Sequence, residues 1–204
     1  MYTPDIYKLE DPIAIRDFLK KNAFGILVNQ TNGKLWATHI PMELAHNKEE
    51  KEILEGHISK ENPQGIALEN DTEVLVVFSG PHAYISSSWY DHENVPTWNY
   101  TAVHVYGKIK IIHGDAVIAS LTKLVDKYEK TSACPVKVGD LSKKTMRQAN
   151  GIIAFEIEIT QIEATQKMSQ NRDDHNYTNI ISELEKAQSP NTLAVAQEMK
   201  KIRK

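Results

Sequence analysis

Apolar and polar residues alternate along positions 101–112. Val103, Val105, Ile109 and Ile111 fall to one side, Ala102, His104, Lys108 and Lys110 to the other, with a slip at Gly107. A period of two sustained over that length marks a β-strand with one buried face. Such a strand needs long neighbours. Residues 152–162 supply one, with Ile153, Phe155, Ile157 and Ile159 alternating with Ala154, Glu156, Glu158 and Thr160. The apolar run 23–28 turns at Asn32-Gly33, a strong hairpin signal, into a returning strand at 35–40. That strand puts Ala37 and His39 on one face and Trp36 and Thr38 on the other. Residues 53–58, 74–78 and 83–89 read as further strands.

Helices are fewer. Asp11-Pro12 opens one through an Asx cap and a proline at the first helical position, with Ile13, Ala14, Phe18 and Leu19 on its face. Asn62-Pro63 opens a short one reaching Leu68. Residues 116–128 carry the apolar stripe Ile118, Leu121, Leu124, Val125 and Tyr128, and 141–149 read as another short helix. Beyond Gln170 the pattern turns helical, first around Ile180, Ile181 and Leu184, then from Ser189-Pro190 through Leu193, Ala196, Met199 and Ile202. Six or seven strands joined by turns favour a β-rich α+β chain over a doubly wound sheet. The expected form is an antiparallel barrel with peripheral helices and a helical C-terminal tail. The expected division is a barrel domain at 1–166 and a helical extension at 167–204 packed on it.

With 41% hydrophobic and 25% charged residues, the chain reads as an ordinary globular protein rather than a disordered one. No apolar run approaches the roughly 18 residues that cross a bilayer, and the opening Met1-Tyr2-Thr3-Pro4-Asp5 has no secretory pattern. No membrane association is expected. Cys134 is the single cysteine, which excludes an internal disulfide and a cysteine-built zinc site and fits a reducing cytoplasm. The net charge of −3 argues against a dedicated duplex-DNA surface. The basic cluster Lys200, Lys201, Arg203 and Lys204 reads as cations complementing the end of a last helix.

Three windows carry candidate chemistry. Tyr84, Trp89, Tyr90, Trp98, Tyr100 and Tyr106 crowd together with His82, Ser86, Ser88, Asn99 and His104. Aromatic faces beside hydroxyls, amides and imidazoles can stack a planar ring and satisfy its edge, or can form an aromatic core with a polar turn. The run His57-Ile58-Ser59-Lys60-Glu61-Asn62-Pro63-Gln64 leaves a strand and enters a helix. It is a candidate phosphate cradle, or else a capped turn with Lys60 in solvent. Lys167-Met168-Ser169-Gln170-Asn171-Arg172 can clamp a phosphate or a partner's loop, or simply join a strand to a helix. The histidines show no metal-ligand spacing, so no metal site is expected. No nucleophile elbow, dinucleotide fingerprint or P-loop is present, and no catalytic residue is marked.

Together the windows resemble one family. Met1-Tyr2-x-Pro4 and Gly56-His57-Ile58-Ser59-Lys60-x-Asn62-Pro63-Gln64 match the PaiB-type FMN-binding negative transcriptional regulators, linked to protease production and sporulation. So do Gly80-Pro81-His82-Ala83-Tyr84-Ile85-Ser86, Ser88-Trp89-Tyr90, Val95-Pro96-Thr97-Trp98-Asn99-Tyr100, Val103-His104-Val105-Tyr106-Gly107 and Lys167-x-Ser169-Gln170-Asn171-Arg172. One departure is Ser87, where the family pattern has proline. The resemblance implies an FMN-binding split β-barrel related to pyridoxamine-phosphate oxidases, a homodimer with FMN between subunits. His57, Ser59, Lys60 and Asn62 would hold the phosphate. Thr38, His39 and Pro41 would flank the ring, and Trp98, Asn99, Tyr100 and His104, with Ser169 and Gln170, would complete the site. Direct DNA contact is left open. Two alternatives stand beside the regulator: a flavin-dependent oxidoreductase or flavin reductase, and a haem-binding split barrel with His39, His57, His82 or His104 as axial ligand.

Overall fold

The computed structural model describes residues 1–203; Lys204 of the basic C-terminal cluster lies outside the described residues. Seven strands form one sheet: β1 (Phe24–Thr31), β2 (Lys34–Pro41), β3 (Glu43–His46), β4 (Glu52–Ser59), β5 (Glu73–Ile85), β6 (Thr97–Ile112) and β7 (Ile152–Lys167). Their order is β2-β1-β5-β6-β7-β4-β3. Six helices accompany them: α1 (Pro12–Lys21), α2 (Pro63–Ile66), α3 (Asp115–Glu129), α4 (Lys143–Met146), α5 (Asp174–Lys186) and α6 (Pro190–Ile202). Among the described residues no helix is long and apolar enough to cross a membrane. The chain divides into two compact units.

One unit comprises Leu19–Val77 and Val105–Ile162. Its β1–β2 hairpin pairs antiparallel from Phe24↔Pro41 to Thr31↔Lys34. Asn32 and Gly33 take φ of 51° and 75° in the connecting turn, as a tight hairpin matched to strand twist requires. β4 pairs antiparallel with β3 and with β7, the latter from Ile53↔Glu158 to Ser59↔Ile152. Leu27, Ile53, Leu54, Val76, Val105, Phe155 and Ile157 are fully buried and form this unit's core. Helix α3 is tied to β3 and β4 by Lys123 Nζ on Glu55 (2.7 Å), Lys127 Nζ on Glu43 (2.6 Å) and the Tyr128 hydroxyl on Glu43 (3.0 Å).

The other unit comprises Met1–Phe18, Phe78–His104 and Glu163–Lys204. Asp11 caps α1 through Oδ1, which accepts from Ile13 N at 2.9 Å. α5 and α6 pack with Ala83, Ile85, Tyr90 and Met168 around Tyr177, Ile180, Leu184, Val195 and Met199. Asp173 caps α5, and Ser189 with Thr192 forms a reciprocal capping box on α6.

Three elements differ from their sequence reading. Burial alternates without a slip along β6, from Asn99 through Gly107 to Ile109. Gly107 occupies a buried-face position where β7 passes so close that a Cβ would overlap the Glu158 carbonyl oxygen and stand 2.5 Å from Ile157 Cγ2. Gly80-Pro81 does not break the chain: β5 runs through it as one strand and ends in a short 3-10 turn at Ser87–Trp89. Gly80 serves close packing instead, since a Cβ there would lie 2.6 Å from the Phe18 ring. β3 follows β2 after a single intervening residue, Met42, and is too short to show a period.

Candidate functional site

The strand-to-helix window is built as a rigid turn. Asn62 caps α2: its Oδ1 accepts from Gln64 N at 2.9 Å, while its Nδ2 donates to Thr38 Oγ1 at 2.9 Å. The cap therefore ties the end of β4 to β2. Gln64 is fully buried and strengthens the tie, donating from Nε2 to the Leu27 carbonyl (3.0 Å) and to Asn29 Oδ1 (2.7 Å). Ser59 and Lys60 stay exposed on this anchored turn. Ser59 Oγ accepts from Glu61 N at 3.2 Å, and Lys60 N donates to the Gly151 carbonyl at 2.9 Å. Lys60 also lines a cavity of about 300 Å³ with His113, Asn150, Ile111 and Ile153.

β2 is a terminal strand of the sheet, hydrogen-bonded to β1 alone among the strands of the described residues. Thr38 and Pro41 are half-buried there and His39 is exposed, stacked 6.2 Å from the Phe24 ring. His57 is half-buried on β4, and burial holds its pKa below the usual imidazole value, so it is a neutral hydrogen-bonding group at neutral pH. Thr38, His39, Pro41, His57, Ser59, Lys60 and Asn62 thus lie in one unit: the first three on the terminal strand β2, His57 and Ser59 on β4, and Lys60 and Asn62 on the turn that Asn62 bonds to β2. An exposed ammonium and hydroxyl suit a phosphate, and an unpaired strand edge suits the polar rim of a planar ring. The donor set fits a flavin.

The remaining candidates lie in the other unit. Trp98 is exposed, with His82 at 6.0 Å and Tyr84 at 5.9 Å between ring centroids. Tyr100 lines a cavity of about 270 Å³ with Gly80, His82, Trp98 and Thr101. Asn99 and Ser169 are both buried and bond each other, Asn99 Nδ2 to Ser169 Oγ at 3.0 Å and Ser169 Oγ to Asn99 Oδ1 at 3.1 Å. Gln170 folds onto its own turn, accepting from Met168 N at 2.6 Å and donating to the Gln166 carbonyl at 2.5 Å. His104 is half-buried; burial first, then the terminal ammonium, lowers its pKa against the opposing pull of Glu163. Sequence reasoning placed Gln64 in the window without a role. The signal was present, since an amide directly after an Asn-Pro cap is positioned to turn inward and needs partners when buried. Among the described residues no cluster of metal-ligating side chains occurs.

An antiparallel sheet of this order, with a terminal edge strand and a capped turn beside it, is a split β-barrel. Two solved structures share the fold. The FAD and Heme binding protein from Mycobacterium smegmatis superposes with a TM-score of 0.63 at 15% identity, covering 84% of this chain and 78% of that one. The flavocytochrome Anf3 from Azotobacter vinelandii does so with a TM-score of 0.63 at 15% identity, covering 85% and 75%. Residues 1–161 match the model of the family described as "Putative FMN-binding domain", and the chain belongs to that family. It is also 42% identical, over 98% of its own length and 96% of the relative's, to the protease synthase and sporulation protein PAI 2 of Bacillus subtilis (strain 168).

Proposed function

We propose that this chain is a PaiB-like FMN-binding regulator that lowers gene expression for protease production and sporulation, working as a cytoplasmic homodimer. The observation that carries the reading is the 42% identity to the Bacillus subtilis sporulation protein across nearly the whole of both chains. Family membership over residues 1–161 supports FMN as the flavin. In this reading Ser59 and Lys60 hold the phosphate, His57 and Asn62 shape the turn, and Thr38, His39 and Pro41 lie along the ring. Trp98, Asn99, Tyr100, His104, Ser169 and Gln170 complete the site across the dimer. Bound there, FMN supplies reversible redox chemistry, while the chain binds and orients it. Exposed apolar side chains on the β1–β2 hairpin and α2, namely Phe24, Leu35, Trp36 and Ile66, support burial against a second copy. No observation on the chain favours an oxidoreductase or a haem protein over this reading.

The test is an FMN titration followed by flavin fluorescence, with wild type beside Lys60→Ala. Micromolar binding is expected, weakened about tenfold or more in the variant through loss of a charge-assisted contact. Failure of wild type to bind FMN overturns the cofactor assignment. A protease-promoter reporter in a host lacking the gene tests the regulatory half, and unchanged expression on adding the wild-type gene overturns it.

A further inference from the structure

Helix α3 carries an apolar stripe, yet none of its residues is fully buried. A helix of its length ordinarily lays such a stripe against the core. The bonds that hold it to the sheet come from its second half, Lys123 to Glu55 and Lys127 and Tyr128 to Glu43. Its first half lines the cavity of about 300 Å³, with Val117 and Ile118 in the wall. Ile111 at the end of β6 and Ile153 at the start of β7 extend the apolar lining. Ile118 is exposed and Ile111, Val117 and Ile153 are half-buried, so this aliphatic surface still meets water. All of these residues belong to one compact unit.

Three polar side chains share the lining. Lys60 comes from the turn after β4, His113 from the connection between β6 and α3, and Asn150 from the segment that enters β7. Ammonium, imidazole and amide can each donate a hydrogen bond. Gly114, also in the wall, caps α3 without a side chain, so the first N–H groups of the helix have no side-chain acceptor. Among the described residues no acidic side chain lines the cavity. An aliphatic wall with donors on it and no carboxylate of its own fits a molecule with a hydrocarbon body and one anionic end. The single cation balances a monoanion rather than a dianion. The volume stands at the lower end of the range for small-molecule sites, so the ligand is a small one.

We propose that this cavity binds a small apolar carboxylate, with its hydrocarbon against Ile111, Val117, Ile118 and Ile153 and its carboxylate received by Lys60, His113 and Asn150. The site shares Lys60 alone with the flavin reading and does not rest on it.

The test uses the full chain without added flavin. Binding of octanoate and of benzoate is measured by calorimetry, with octanol as the uncharged counterpart. Wild type is compared with Val117→Phe and Ile153→Phe, which fill the cavity, and with His113→Ala and Asn150→Ala, which remove donors. Circular dichroism identifies the variants that are folded, and FMN titrations run on the same proteins beside Lys60→Ala. Wild type is expected to bind at least one of the two acids, and more tightly than octanol. Affinity should fall about tenfold or more when the cavity is filled and severalfold when either donor is removed. FMN affinity in these four variants should stay within about twofold of wild type. Failure of wild type to bind FMN would remove the flavin reading and leave the carboxylate measurement intact. Four outcomes overturn the proposal. One is no binding of either acid by wild type, as when a second copy of the chain covers the cavity. Another is unchanged affinity in every folded cavity-filling variant. A third is octanol bound as tightly as octanoate, which removes the carboxylate from recognition. The last is a loss of FMN affinity in the cavity variants equal to that in Lys60→Ala, which would assign the cavity to the flavin itself.

Discussion

Gln64 has no exposed surface, and its amide nitrogen reaches Leu27 O and Asn29 Oδ1 at 3.0 and 2.7 Å. Removing it strands two buried acceptors on β1 and loosens the join between the β4–α2 turn and the hairpin. Gln64→Leu should cost about 2 kcal/mol in urea unfolding, while Lys60→Ala, at an exposed position, should stay within about 0.5 kcal/mol of wild type. That contrast lets a loss of FMN binding in Lys60→Ala be read as lost contact rather than lost fold. His57 gives a second residue-level expectation. Its folded pKa lies below the unfolded value of 6.5 because burial disfavours the imidazolium. The unfolded chain therefore takes up the proton first. Stability from this site is complete above about pH 6.5 and declines as pH falls through that value. His57→Gln should flatten the decline between neutral and mildly acid pH, as measured by urea midpoints across that range.

At the scale of elements, caps and close approaches decide what the alternation of residues leaves open. Asp173 holds the start of α5, and the backbone and side-chain N–H groups of Asn176 lower its pKa from 3.8 to about 2. Its contribution is present above about pH 4 and is lost as pH falls towards 2. Asp173→Asn keeps a capping oxygen without the titration, so helix signal followed by circular dichroism should lose its wild-type acid step within that window. Gly107→Ala should cost about 3 kcal/mol or abolish folding, because the added carbon meets backbone of β7 rather than a yielding side chain. The same position shows where sequence reading stops. Period two identified β6 and β7, and Asn32-Gly33 located the hairpin, because those signals are local. Gly107 gave no apolar side chain to count, so the pattern seemed to slip where it is in fact tightest. Gly80-Pro81 looked like a break between strands because Gly-Pro pairs mark turns. Only the Phe18 ring lying against Gly80 explains why β5 continues through it.

For the whole molecule, the motifs identified the family, while the packing of the site depended on long-range pairing. That Asn62 bonds Thr38 and that Ser169 bonds Asn99 joins residues far apart in sequence, and no local period announces either. The charge distribution supports one further expectation. With a net charge of −3, a DNA-binding role would require a local basic face strong enough to displace counterions. Among the described residues the C-terminal cations do not supply one: Lys186 pairs with Glu183, Lys200 with Glu185 and Lys201 with Glu198, each at 2.5 or 2.6 Å, and Arg203 pairs with Asp174. Exposed pairs of this kind add little stability, yet they cancel the field that would draw a duplex to α6. Purified protein should therefore bind duplex DNA no more tightly than a non-specific ligand at physiological salt, and the regulation proposed above would then reach a promoter through a flavin state or a further partner. Fluorescence anisotropy on a labelled promoter fragment decides it. Nanomolar, sequence-dependent binding whose affinity falls steeply with added salt would place a phosphate-contacting surface on this chain and make the proposed regulation direct.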